Sequence, residues 1–133
     1  MPRAMVLIVE RDEALLASEV LLCQAQEYEV LSAGTRSSAE QLLNVHFPDA
    51  VVIGHSLDRH DREVLVAKVR LIRPDARILV LHASGSDLPV AAHSAIDSRE
   101  GPDFVLLALE QLLQPLRKQP STADRAPKQR FAR

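Results

Sequence analysis

The chain has 133 residues, 47% of them hydrophobic, and a formal net charge of −2. That length suits one domain with a sizeable core, and the apolar share excludes a disordered chain. A single cysteine, Cys23, excludes an internal disulfide framework, and 3% aromatics without Trp exclude a base-stacking surface for single-stranded nucleic acid.

The first element is the apolar run Met5–Val9, which reads as a buried strand and leads into Glu10 and Arg11. Five residues are too few for a signal-peptide core or a membrane span, so a soluble cytoplasmic protein is expected. Asp12 can cap a helix running to about Gln26. Cys23 then falls on that helix as a small core or near-surface residue. A second strand is expected at Glu29–Ser32. Ser37-Ser38-Ala39-Glu40 has the form of a capping box. It opens a helix with Ala39, Leu42, Leu43 and His46 on one face, ending before Pro48.

Asp49-Ala50-Val51-Val52-Ile53-Gly54 reads as a fully buried third strand. A third helix is expected from about Asp61 to Arg73, with Leu65, Val69 and Ile72 on one face and Pro74 as its stop. The fourth strand, Arg77–Leu81, runs into His82. Between His82 and Ser94 the breakers Ser84, Gly85, Ser86 and Pro89 leave room for a fourth helix of only one or two turns, Asp87 to Ala92. A fifth strand is expected at Ser94–Ile96. Gly101-Pro102-Asp103 opens the last helix, with Pro in the first turn, and that helix ends near Pro115.

Strands alternating with helices imply a three-layer α/β domain built on a parallel sheet covered on both faces. Right-handed crossovers make it doubly wound, and sites in such folds gather beyond the carboxyl ends of the strands. Glu10, Arg11, Gly54, His55, His82 and Ser98 belong there. The domain spans residues 1–115. The stretch 116–133 carries six basic residues against Asp124, a net +5, which leaves −7 on the rest. With Pro120, Pro127, Ser121, Thr122 and no apolar periodicity, it reads as a disordered, solvated tail. The rival reading is a weak contact with nucleic acid or an acidic partner.

The stretches Val6-Leu7-Ile8-Val9-Glu10, Glu27-Tyr28-Glu29-Val30, Pro48-Asp49-Ala50-Val51-Val52-Ile53 and Arg73-Pro74-Asp75-Ala76-Arg77-Ile78-Leu79-Val80-Leu81 together resemble the receiver domain of bacterial two-component response regulators, over about residues 5–114. The resemblance implies a flavodoxin-like five-stranded sheet in the order 2-1-3-4-5, here with a shortened helix 4. It also implies a phosphorylation site. Receivers carry an acidic pair after strand 1 that holds a divalent cation. They place a phosphoacceptor Asp after strand 3, a Ser or Thr after strand 4 and a Lys after strand 5, and the last two bind the new phosphate oxygens. Here those positions fall on Glu10 and Arg11, Gly54, His82 and Ser98, so only Glu10 matches. Gly54 has no side chain to phosphorylate. Arg11 sets a cation where the metal would sit and is expected to neutralise Glu10.

The expected function is therefore a receiver-like signalling module without the phosphotransfer site, acting through protein–protein contacts, with no enzyme activity and no cofactor. The last helix is the expected contact surface. Its apolar residues cover most of the circumference and leave Glu110, Gln111 and Gln114 as a narrow polar strip. Val105, Leu106, Leu109 and Leu113 are the residues chosen for that surface, against a protein partner or a second copy. Two alternatives stand beside this reading. One is a conventional phosphorelay receiver whose acceptor is displaced to Asp58 or Asp61. The other is a metal- or ligand-binding module at the strand-end mouth, with Glu10, His55 and His82 as candidate zinc ligands and His60 on the next loop.

Overall fold

Met5–Val9 (β1) is buried on both faces, which is why its sequence is apolar throughout rather than alternating. The computed structural model describes residues 4–82, 94–97 and 102–117, with backbone alone at 82, 94–97, 102–104 and 114–117. Strand β1 pairs in parallel with Glu29–Ala33 (β2) on one side and with Ala50–Ile53 (β3) on the other. Arg77–His82 (β4) pairs in parallel with β3. Ser94–Asp97 (β5) runs beside β4 in the same direction.

Among the described residues, four helices cover this flavodoxin-like sheet: Glu13–Ala25 (α1), Arg36–Val45 (α2), Arg59–Ile72 (α3) and Pro102–Arg117 (α4). Side-chain alternation along the strands sorts the core into two layers. Leu7, Val9, Val51, Ile53, Ile78 and Val80 meet Ala39, Leu43, Leu65 and Val69 of α2 and α3. Val6, Ile8, Ala50, Val52, Leu79 and Leu81 meet Cys23 of α1 and Val105, Leu109 and Leu113 of α4. Each buried aliphatic side chain of these layers contributes about 1.5–3 kcal/mol.

Element boundaries follow the caps. Asp12 caps α1 by accepting from the N–H groups of Ala14 and Leu15, as the sequence predicts. The cap of α2 is Thr35 and not Ser37: its hydroxyl accepts from Ser38 N, so the helix begins one residue before the expected box. Glu40 faces Arg36 one turn back instead of the cap. Asp58 caps α3 through Asp61 N. Helix α4 continues to Arg117, past the predicted stop at Pro115. A proline this close to a helix end removes a single backbone bond, whereas a central one would break the helix.

Helix α1 ends in a Schellman turn. Glu27 N donates to Gln24 O and Tyr28 N to Cys23 O, and Glu27 itself sits at φ 70, where glycine is the usual occupant.

The structure corrects the expected contact surface on α4. Leu109 and Leu113 are fully buried and Val105 nearly so, all three against the sheet. They are core residues, because a helix laid on a sheet spends its main apolar stripe there. Leu106 is partly buried at the edge of the same layer, and among the described side chains of α4 the exposed leucine is Leu107, at 52%. The expected short helix over Asp87–Ala92, and the tail from 118 onward, lie outside the described residues.

Candidate functional site

The parallel ladder carries two residues past the strand ends and sets them side by side. Glu10 N donates to Ala33 O and Gly54 N donates to Val9 O. Val9 is in register with Ile53, so Glu10 and Gly54 follow as neighbours on adjacent strands. By the strand alternation both face the α1–α4 layer.

Glu10 is the centre of the site and is fully buried. A Cβ built on Gly54 would overlap the carboxyl carbon and both carboxyl oxygens of Glu10. The carboxyl group thus lies in the space where a side chain of residue 54 would begin. Ser56 holds it there: its hydroxyl donates to Glu10 Oε1 at 2.5 Å and its N–H donates to the same oxygen at 3.4 Å. The same Oγ accepts from Arg11 N at 2.7 Å and Asp12 N at 3.1 Å. One serine therefore ties the β1–α1 loop to the β3–α3 loop. In the sequence, Ser56 stands out only as a hydroxyl between His55 and Asp58 without the glycine-flanked turn of a nucleophile; its role as a tether depends on which way Glu10 turns.

A second missed residue is Glu19, buried on the sheet-facing side of α1. Burial raises its carboxyl to about 9, helped by a hydrogen bond to the Glu10 side chain and by the Glu10 charge. The Cys23 thiol, one turn further on, is pushed up to about 11 by burial and then by Glu19.

The other predicted residues distribute differently. Arg11 is exposed and forms no ion pair with Glu10, so the expected neutralisation does not occur; Glu10 is turned inward, away from the side chain beside it. His82 closes β4, with its backbone alone described, and Ser98 lies outside the described residues. His55 is half-buried and His60 exposed. Among the described residues no group of three or more His, Cys, Asp or Glu side chains could hold a metal ion. Asp58, one rival acceptor, is engaged as the α3 cap, and Asp61, the other, faces Arg36 at 3.6 Å. The buried Arg62 donates to the carbonyls of Leu57 and His55 and braces the loop that carries Ser56.

No family model matches the sequence, and no curated protein matches it either. Solved structures do. A receiver domain protein from Methanospirillum hungatei JF-1 superposes with a TM-score of 0.77 at 21% identity, over 87% of this chain and 98% of that one. The signal receiver domain of an HD domain-containing protein from Pseudomonas fluorescens Pf-5 gives 0.76 at 22% identity, over 88% and 99%. A chemotaxis response regulator of Vibrio cholerae gives 0.73 at 21%, over 83% and 98%.

The chain has the receiver-domain fold. The resemblance to receivers would set a divalent cation and a phosphoryl group at the mouth beyond β1, β3 and β4. The described residues of this mouth do not fit the cation. Of the expected acidic pair only Glu10 is present, its Oε1 is engaged by Ser56, and Arg11 stands in the second position. Among the described residues, a groove of about 330 Å³ lies at the opposite, amino-terminal end of the sheet, where Arg73 stacks over the Phe47 ring at 3.8 Å.

No helix of the described residues is long and apolar enough to cross a membrane.

Proposed function

We propose that this chain is a receiver-like signalling module that works without aspartyl phosphorylation, through contacts with another protein. Its sheet is read as the doubly wound order 2-1-3-4-5, its site as non-enzymatic and its setting as the cytoplasm. The single observation that carries the reading is the Glu10 carboxyl group lying over Gly54. A phosphoacceptor needs a carboxylate on position 54 open to an incoming phosphoryl group. Position 54 has no side chain, and the space above it is filled and buried. The output would then be constitutive, or set by something other than phosphate on position 54. The contact surface is the exposed side of α4 around Leu106 and Leu107, met by a protein partner or a second copy of the chain.

The test is direct. Incubation with acetyl phosphate or phosphoramidate and Mg²⁺, followed by intact mass measurement, should give no acid-labile phosphoryl adduct. An adduct on any aspartate would sink the proposal, and mapping it to Asp58 or Asp61 would establish a displaced acceptor instead.

A further inference from the structure

The amino-terminal end of the sheet, opposite the Glu10 mouth, carries a patch that the proposed function does not use. Three large apolar side chains stand exposed there: Val45 at 70%, Phe47 at 71% and Leu71 at 78%. Val45 ends α2, Phe47 follows in the connection to β3, and Leu71 lies in the last turn of α3. The groove between the two connections is lined by Phe47, Pro48, Ile72 and Pro74, and by the charged Arg73 and Asp75. Asp49 also lines it, but is engaged within the fold, its Oδ2 accepting from Met5 N at 2.9 Å.

Arg73 fixes the shape of this patch. Its Nε donates to His46 O at 3.0 Å and its Nη1 to Ile72 O at 2.7 Å, so one side chain closes the ends of α2 and α3. The guanidinium so anchored holds the Phe47 ring under it at 3.8 Å. Satisfying two helix-end carbonyls explains the bonds of Arg73. It does not explain an exposed ring in a chain that has only three phenylalanines. An aromatic ring that is exposed yet held in place is a pre-organised anchor, because little side-chain entropy remains to be lost on binding.

The charges select the occupant. Arg73 and Asp75 lie two residues apart, and among the described residues neither forms an ion pair. An acidic partner would meet Asp75 as a like charge, and a basic one would meet Arg73 as a like charge. A twofold-related copy of the same patch answers both, since an isologous contact pairs residue i with j and j with i. We propose that this patch is a self-association surface: two copies of the chain meet across a twofold axis, each Phe47 entering the groove of the other copy and each Arg73 facing the partner's Asp75. A volume of about 330 Å³ is at the small end of ligand pockets and suits the entry of a single side chain. The patch has fewer residues than the roughly 20–30 a side of a standard interface, so the dimer is weak and concentration-dependent. The inference goes beyond the proposed function: it assigns the second copy to this end of the sheet and leaves α4 to a different protein.

Sedimentation of the full chain over a concentration series up to about 1 mM should show a reversible dimer. Backbone amide shifts should move on dilution at residues 45–49 and 71–76 and stay fixed at Leu107. Phe47→Ser removes the anchor and should weaken the dimer by about tenfold or more. Asp75→Arg sets arginines against arginines and should weaken it likewise. Both positions are exposed, so both variants should fold, which circular dichroism checks. Mixing inverts the effect. Arg73→Glu alone should be monomeric, and an equimolar mixture with Asp75→Arg should restore a dimer holding one chain of each, since an acidic patch then faces a basic one. Arg73 also ties two helix ends, so the mixture is made only with an Arg73→Glu chain of native circular dichroism; the other two variants decide the matter without it. A chain that stays monomeric at about 1 mM overturns the proposal. So does a dimer that tolerates Phe47→Ser or Asp75→Arg, or a mixture of folded variants that does not pair. A dimer lost in Leu107→Glu and kept in Phe47→Ser overturns it in favour of α4. A monomer whose Phe47→Ser variant loses a partner from the native cell overturns it in favour of a different protein in the groove. None of these results bears on phosphorylation at the other end of the sheet, so the two readings fail separately.

Discussion

Glu10 excludes a side chain from position 54. The backbone at Gly54 lies outside the left-handed region, so any residue could adopt it, and the nearest obstacle to a Cβ is the Glu10 carboxyl group. Glycine is needed there for space and not for conformation.

That relationship makes the two positions thermodynamically coupled. Gly54→Ala must evict Glu10 from Ser56 and Glu19, leaving buried polar groups unpaired at a cost of about 1–3 kcal/mol. In a Glu10→Ala background the same substitution should cost little, because the space has been vacated. A double-mutant cycle by urea unfolding should return a coupling of about 1–3 kcal/mol. Additive effects would mean that Glu10 does not occupy the space. By the same reasoning Gly54→Asp should not create a phosphoacceptor, since Glu10 and the new carboxylate would compete for one buried volume.

Glu27 is the second place where the chain departs from the residue its geometry favours. It holds the left-handed position of the Schellman turn after α1, where both required backbone bonds are formed. A side chain there costs about 1 kcal/mol relative to glycine. Glu27 is exposed and its side chain is not needed for the turn. Glu27→Gly should therefore raise stability by several tenths to 1 kcal/mol, net of the extra freedom glycine gives the unfolded chain. Calorimetry checks this; a lower Tm would mean the Glu27 side chain is itself stabilising.

Strands β1, β3 and β4 were legible because each is a short, nearly continuous apolar run, the mark of central strands in a parallel sheet covered on both sides. The absent side chain at Gly54 was legible for the same reason, since the run fixes where β3 ends. What fills the space was not. Glu10 reaches Gly54 only through the pairing of β1 with β3, a contact between residues 44 apart in sequence. Glu19 was hidden differently. Helix α1 holds leucines on several faces, so its pattern does not single out one stripe, and Leu21, which looks like core, is 65% exposed while Glu19 is buried. The cap of α2 was misplaced by two residues because Thr35, Ser37 and Ser38 are all capable caps and only the backbone decides among them.

The tail should be dispensable for folding. The sequence from 118 onward has no apolar stripe to dock and a strong positive excess that water and salt can screen. A protein ending at Arg117 keeps all of α4 and every core residue named above. Its circular dichroism should match the full chain, and its Tm should lie within a few degrees. A large loss would mean that the basic segment packs on the acidic body.

Helix α4 offers two kinds of leucine, and they should respond in opposite ways. Leu109 and Leu113 are at 0% exposure in the layer shared with Val52 and Leu79. Truncating either to Ala removes buried methyl groups and leaves a cavity, at about 2–5 kcal/mol each. Leu107 faces out, so Leu107→Glu should leave the folding free energy within about 0.5 kcal/mol. If α4 is the contact surface, the same change sets a charge in an apolar contact and should weaken binding by a few kcal/mol. Light scattering reads this as a shift toward monomer if the partner is a second copy. A binding assay against a partner isolated from the native cell reads it as lost affinity. A Leu107→Glu chain that folds normally, keeps its oligomeric state and keeps its partner would remove α4 from consideration as the interface. Leu109→Ala in parallel guards the interpretation: it should lower stability, and it should leave the contact intact for as long as the chain stays folded.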